Sequence, residues 1–375
     1  MTKRNPGISL FKMFSMFMIA LLHVVGMGGI VGNAIGTTYD VAYFIRCVTF
    51  CSVDCYALVT GYLYYQKKTR LSRILELWIE IFVYSVIITT LMIKYDPTLK
   101  KTENIISAVL PIISSQYWYM TSYFMLWLFI PALNAFAERA SKSLYTATLI
   151  AVLALSSLTK LVGMDAFRIS SGYSAFWLMV MYLVGAYIRK YNIMQKVNKY
   201  LSLLLFILIS AGYYLVCRYF RDWLGGKLPE RNINFLAYDF IFPVAMSVFL
   251  FIAFAKTKIG PRAAKIISIM DPASLGVYLI HTHPLLFVCI IYKIAIPLAE
   301  CDPVNMTLGA VGIALLIYFT CMAIDLIRIQ LFRLLRINKI LRKLDEKIEL
   351  VAERKEKDKL PGTVEVVEEK EKINV

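Results

Sequence analysis

Charge is what this chain lacks most. Asp, Glu, Lys and Arg make up 18% of its 375 residues, against roughly 25% in soluble domains, and apolar residues reach 59% where soluble domains hold roughly 45–50%. Acidic residues are the scarcer kind, 25 against 41 Lys and Arg, for a net charge of +16. In a soluble protein that excess would point to nucleic acid. No nucleic-acid motif accompanies it here, and the basic residues fall in short stretches between long apolar runs, where cytoplasmic loops of membrane proteins carry them. Nucleic acid is therefore excluded as a partner. Cysteine is sparse and odd in number, seven, and mostly inside apolar runs, which excludes a secreted disulfide framework. Cys47, Cys51 and Cys55 recur every four residues along one helical face. No histidine neighbours them in sequence and a thiolate in lipid is costly, so they read as small buried hydrophobes and no metal is expected.

What the chain has instead is length in its apolar runs. Several reach about 18 residues or more with few charges, enough to cross a hydrocarbon core about 30 Å thick as a helix. The expected fold is all-α, a polytopic membrane bundle of about ten transmembrane helices filling one domain, 1–339. The expected spans are about 9–29, 40–65, 74–94, 116–136, 144–163, 174–190, 200–220, 234–255, 270–299 and 306–330. The loops "QKKTRLSR", "ERASKS", "RKYNIMQKVNK", "KTKIGPRAAK" and "RIQLFRLLRINKILRK" then share one side with the "TKR" end, which puts both termini in the cytoplasm. Residues 340–375 alternate charges and include Pro361 and Gly362, the pattern of a solvated helix followed by a disordered tail. "GMGGIVGNAIG" reads as a flexible outer loop. The opening "MTKR" and its apolar run have the outline of a signal peptide, but the run is long for one, holds Lys12 and His23, and lacks an A-x-A site. It is read as a retained span.

Against that apolar background a few ionisable residues stand out. The chain has three histidines, His23, His281 and His283, all inside expected spans, where such side chains are costly and mark function by default. His23 lies about 20 Å and His281 about 17 Å from the cytoplasmic ends of their helices, one layer near mid-membrane. Lys12 and His23, eleven residues apart, differ by about three turns, so they share one face about 16 Å apart, as though a ligand ran between them. A snorkelling lysine and a histidine bonded to a neighbouring helix would give the same spacing. Asp54 falls in the histidine layer, placed to orient an imidazole, while Arg46 and Asp54 would equally serve as interhelical pairs. Arg70 and Arg73, one turn apart at a cytoplasmic boundary, suit a forked hold on phosphate, and positive-inside topology accounts for them too. His283 points to a different face from His281 and stays outside the core set. Trp118 and Tyr119, near the outer boundary, suit either stacking on a sugar ring or an aromatic belt.

Four stretches together resemble the acyltransferase-3 family of integral membrane acyltransferases. The family's Arg-x(10)-His in the first helix is present as Lys12-x(10)-His23. Its "VNxFFxxSGY" segment is present as "VDCYALVTGYL", its Arg-x-x-Arg as Arg70 and Arg73, and its late "YLIH" as Tyr278 to His281. "YWYMTSYFMLWLFIPALN" and "AYDFIFPVAMSVFLF" match more weakly, and the resemblance runs over about residues 7–335. Lys12 stands where the family has arginine, keeping the charge but losing the planar fork. Thr60 stands where it has serine. The extra esterase-like domain of longer relatives is not expected here.

The resemblance implies an enzyme of a bacterial inner or cytoplasmic membrane, moving an acyl group, acetyl above all, from cytoplasmic acyl-CoA to a hydroxyl of a cell-surface glycan or its lipid-linked precursor. Acyl-CoA enters as a substrate and no cofactor is expected. Arg70, Arg73 and Lys12 would hold the donor, and its thioester would arrive among His23, Asp54 and His281. There an imidazole would act as general base or be acylated itself, with Tyr278 available to the developing oxyanion. Arg46, Trp118 and Tyr119 would serve the acceptor or the fold. The rival readings are a transporter or flippase of lipid-linked polysaccharide, or a polymerase, with buried charges lining a pathway.

Overall fold

The computed structural model describes residues 5–229 and 233–357, and among them every regular element is helical. The first helix, α1 (Pro6–Val25), starts at Asn5, whose side chain accepts from the Gly7 amide at 2.8 Å. Pro6 takes the first position, where its missing N–H would have no partner anyway. Past α1, Gly29 adopts a φ of 86° and leads into a short helix, Ile30–Asn33. "GMGGIVGNAIG" is thus a turn and a helix rather than the flexible loop expected. The second expected span divides at Phe50 and Cys51 into α2 (Gly36–Thr49) and α3 (Ser52–Tyr64). Then come α4 (Leu71–Tyr95), α5 (Trp118–Arg139), α6 (Lys142–Leu161), α7 (Ala175–Lys190) and α8 (Lys199–Leu215), the last continuing through a π-turn to Lys227. The series closes with α9 (Ile241–Ala255), α10 (Pro261–Met270), α11 (Ser274–His281), α12 (Pro303–Leu334) and α13 (Ile337–Lys357).

Eight segments of the described residues are long and apolar enough to cross a membrane. The other two expected spans are α7, with 16 residues, and α9, with 15. The largest departure is the ninth. The segment begins at Pro261, not near 270, and stops at His281, where Pro284 follows three residues on. Its start lies in residues whose charge marked them as loop, because Pro261 at the first position and two alanines after Arg262 favour a helix there.

The helices pack around α1, which touches α2, α3, α9, α11 and α12. Phe11, Ala20, Val24 and Val25 are wholly enclosed. Lipid is as apolar as leucine, so close packing rather than escape from water holds such helices together, and small residues allow it. At the α3–α7 crossing, Gly61 lies against the carbonyl of Tyr182 and Gly185 against that of Leu58, with no room for a Cβ at either. The long α12 runs about 48 Å and outreaches a hydrocarbon core. Its start is capped by Asp302, whose carboxyl is held below the usual range by the Asn305 amide and side chain. Beyond it, α13 is the helix expected in the charged C-terminal segment, and it packs on α4. Asp345 accepts there from the Ser72 amide at 2.9 Å and from its hydroxyl. The expected disordered tail, 358–375, lies outside the described residues.

Candidate functional site

Two histidines from distant parts of the chain meet where α1 and α11 end. His281 Nδ1 lies 2.5 Å from the carbonyl oxygen of Val277, one turn back on its own helix. A carbonyl only accepts, so that nitrogen carries a hydrogen. With a neutral ring, His281 Nε2 is then bare and accepts from His23 Nδ1, 2.9 Å away. His23 in turn keeps its own Nε2 bare, an assignment that follows from the bonding network. That nitrogen has no hydrogen-bond partner among the described residues. His281 is fully buried, whereas His23 lines a cavity of about 270 Å³. A backbone carbonyl, invisible to any motif, fixes the tautomer of the whole chain.

This cavity is one of three that adjoin. It shares Tyr56, Tyr119, Met120 and Leu275 with a second, of about 250 Å³, which Lys12 lines. The second shares Tyr64, Leu77 and Tyr123 with a third, of about 390 Å³, at the start of α4. Lys12 and His23 therefore line adjoining cavities along α1. Lys12 also meets Asp271 at 2.7 Å, so its charge is balanced within the protein. Tyr56 donates to the Lys12 carbonyl at 2.7 Å and ties α3 to α1 beside that passage.

The two arginines of Arg-x-x-Arg part company. Both are exposed, but Arg73 lines the third cavity and bonds Glu76 at 3.3 Å, while Arg70 does not line it. Across that cavity stands Arg328, which the sequence left among topology signals. It donates to Glu80 and Asp325, each at 2.8 Å, and Tyr84 donates to Asp325 at 2.7 Å. The signal for this buried network was available: Glu80 and Asp325 are carboxylates inside expected spans, subject to the same rule that singled out the histidines.

Other expected residues fall as follows. Asp54 is fully buried, but it accepts from Trp177 Nε1 at 2.9 Å and bonds no histidine. The group that orients the imidazole pair is the Val277 carbonyl. Tyr278 lines the His23 cavity from the helix of His281, its ring centroid 6.3 Å from the imidazole. Arg46, Trp118 and Tyr119 line the same cavity. His283 turns away and bonds Thr89 at 3.1 Å. Among the described residues no group of three or more His, Cys, Asp or Glu is placed to hold a metal.

Part of the wall of the His23 cavity is aromatic and comes from two loops, one of them the start of the weakly matching "AYDFIFPVAMSVFLF". Trp118 meets Tyr173 at 4.6 Å, Tyr173 meets Tyr238 at 4.9 Å, and Tyr238 stacks on Phe50 at 4.3 Å. A buried ion pair between Lys160 and Asp239, at 2.9 Å, holds the Tyr238 loop to α6. The Tyr238 amide bonds the Ser171 carbonyl at 3.0 Å and joins the two loops.

A family model described as an acyltransferase domain, of the acyltransferase-3 type, matches residues 5–326. No curated protein and no solved structure matches the chain.

Proposed function

The chain belongs to the acyltransferase-3 family, and from that premise we propose that it transfers an acyl group, acetyl above all, from cytoplasmic acyl-CoA to a hydroxyl of a cell-surface glycan or its lipid-linked precursor. The membrane is taken to be the cytoplasmic or inner membrane of a bacterium, with both termini on the cytoplasmic side. One observation carries the reading: a histidine with a bare nitrogen, oriented by a second histidine, at the end of a run of cavities whose other end holds arginine.

On this reading the donor's phosphates lie at the third cavity, held by Arg73 with Arg70 close by on the surface, through charge-assisted hydrogen bonds. The pantetheine arm passes Lys12, whose ammonium, balanced by Asp271, serves the arm as a hydrogen-bond donor rather than as a free charge. The thioester then stands beside His23. His23 Nε2 takes the proton from the acceptor hydroxyl as its oxygen attacks the thioester carbon. The C–S bond breaks, the ester forms, and the departing thiolate takes that proton back from His23. His281 accepts from Nδ1–H throughout and so stabilises the charge that His23 transiently carries. Tyr278 is the proposed donor to the oxyanion, and Asp54 is assigned to positioning Trp177 behind the cavity.

The test compares surface glycans of cells with and without the gene for alkali-labile acyl groups, by NMR. Loss of ester with glycan amount and chain length unchanged is expected. Loss of the glycan itself would favour a transporter or polymerase.

A further inference from the structure

Arg46 sits in the last turn of α2 and lines the His23 cavity. A Cβ on Gly26, three residues past His23, would stand 3.5 Å from Arg46 Nε, so the guanidinium lies about one turn along from the histidine. Four other cations of the helices have acidic partners, Lys12 with Asp271, Lys160 with Asp239, Arg218 with Asp40, and Arg328 with Glu80 and Asp325, while Arg189 and Lys190 bond a tyrosine hydroxyl and backbone carbonyls. The Arg46 guanidinium makes no hydrogen bond or ion pair with any described residue, and its Nε is buried without one. An unbalanced cation at membrane depth is costly and calls for an anion. The cavity it faces is also walled by Trp118, Tyr173 and Tyr238, rings with hydroxyl or indole edges that suit the apolar face and the hydroxyls of a sugar.

We propose that this space is an acceptor subsite for an anionic saccharide, whose carboxylate or phosphate pairs with Arg46 while one of its hydroxyls faces His23. The proposal rests on the acyltransferase reading and narrows its acceptor. The donor is a poorer source for the anion. Its phosphates fit the third cavity, and reaching Arg46 would take them through the Lys12 passage and past the histidines. Arg46 offers five N–H groups in a fork matched to carboxylate or phosphate, so lysine would be an incomplete substitute.

The experiment uses the full chain in lipid nanodiscs without acyl-CoA. Binding is measured by calorimetry for a glucuronate-terminated disaccharide, its glucose-terminated counterpart, and glucose 6-phosphate, with wild type, Arg46→Lys and Arg46→Gln. Wild type is expected to bind at least one anionic probe about 10- to 100-fold more tightly than the neutral one. Arg46→Gln is expected to abolish the preference and Arg46→Lys to keep part of it. The glucuronate and phosphate arms distinguish the two sources of the anion. Unchanged acyl-CoA affinity in Arg46→Gln shows that the fold is intact. Equal binding of charged and neutral probes, a preference that survives in Arg46→Gln, or no binding of either anion would overturn the proposal. Transfer assays with the same probes separate the two claims. Acylation without preference for an anion sinks this subsite and leaves the acyltransferase reading standing, whereas anion-selective binding without acylation of any probe does the reverse.

Discussion

His23 Nδ1 and His281 Nε2 lie 2.9 Å apart, in a chain that begins at the carbonyl of Val277 and ends at a bare nitrogen facing a cavity. The direction of that chain assigns unequal roles to the two rings. His23 meets the substrate, and His281 works through it.

The first prediction follows from that inequality. His281→Leu removes the acceptor for His23 Nδ1–H without altering the cavity wall, so kcat is expected to fall by about 100-fold, at the lower end of general-base contributions. The KM for acyl-CoA is expected to stay near that of wild type. Steady-state kinetics on purified protein checks it, and an equal loss in kcat/KM through KM alone would assign His281 to binding.

Arg70 and Arg73 are predicted to differ. Arg73→Ala removes a cation from the third cavity and is expected to weaken acyl-CoA binding by about 10- to 100-fold, the worth of a hydrogen bond to a charged group. Arg70→Ala, exposed outside the cavity, is expected to cost less. Calorimetric titration of both variants with CoA measures the gap. Equal affinities in the two variants would return both arginines to membrane orientation.

Much of the frame was legible because membrane solvation writes it in residue types. Runs of apolar residues marked the spans, and the rarity of histidine made His23 and His281 conspicuous as a pair in one layer. The tautomer was not legible, because its source is the Val277 backbone. Nor was the partner of Asp54, since tryptophan in an apolar run looks like packing. The partner of Lys12 was hidden by the misplaced ninth span, which put Asp271 at a membrane boundary when it lies within a broken helix facing α1. Tyr173 falls outside the expected spans and Tyr238 was placed inside the span 234–255, whose helix starts only at Ile241, so only the fold brings the two rings over the cavity.

The α3–α7 crossing yields a stability prediction. At Gly61 a methyl group would meet the Tyr182 backbone, which cannot swing away, so Gly61→Ala is expected to destabilise by about 1–3 kcal/mol. Gly32→Ala, with open space around it, is the control and is expected to be near neutral. Thermal unfolding of both variants in detergent decides, and a Gly61→Ala midpoint equal to that of Gly32→Ala would contradict the close crossing.

Removing one member of the buried Lys160–Asp239 pair leaves the other uncompensated, and the expected loss in Lys160→Met is about 3–5 kcal/mol. Replacing both, in Lys160→Met with Asp239→Leu, is expected to recover part of it. Stability of the single and double variants is the measurement. Additive losses would show that the two side chains do not interact.

The most direct measurement is transfer of radiolabelled acetyl from acetyl-CoA to extracted surface glycan by purified wild type and His23→Ala, with folding checked by thermal unfolding and donor binding by calorimetry. His23→Ala is expected to bind acetyl-CoA as wild type does and to lose at least about 100-fold in transfer. Transfer at the wild-type rate by folded His23→Ala would contradict the role of His23 as the base.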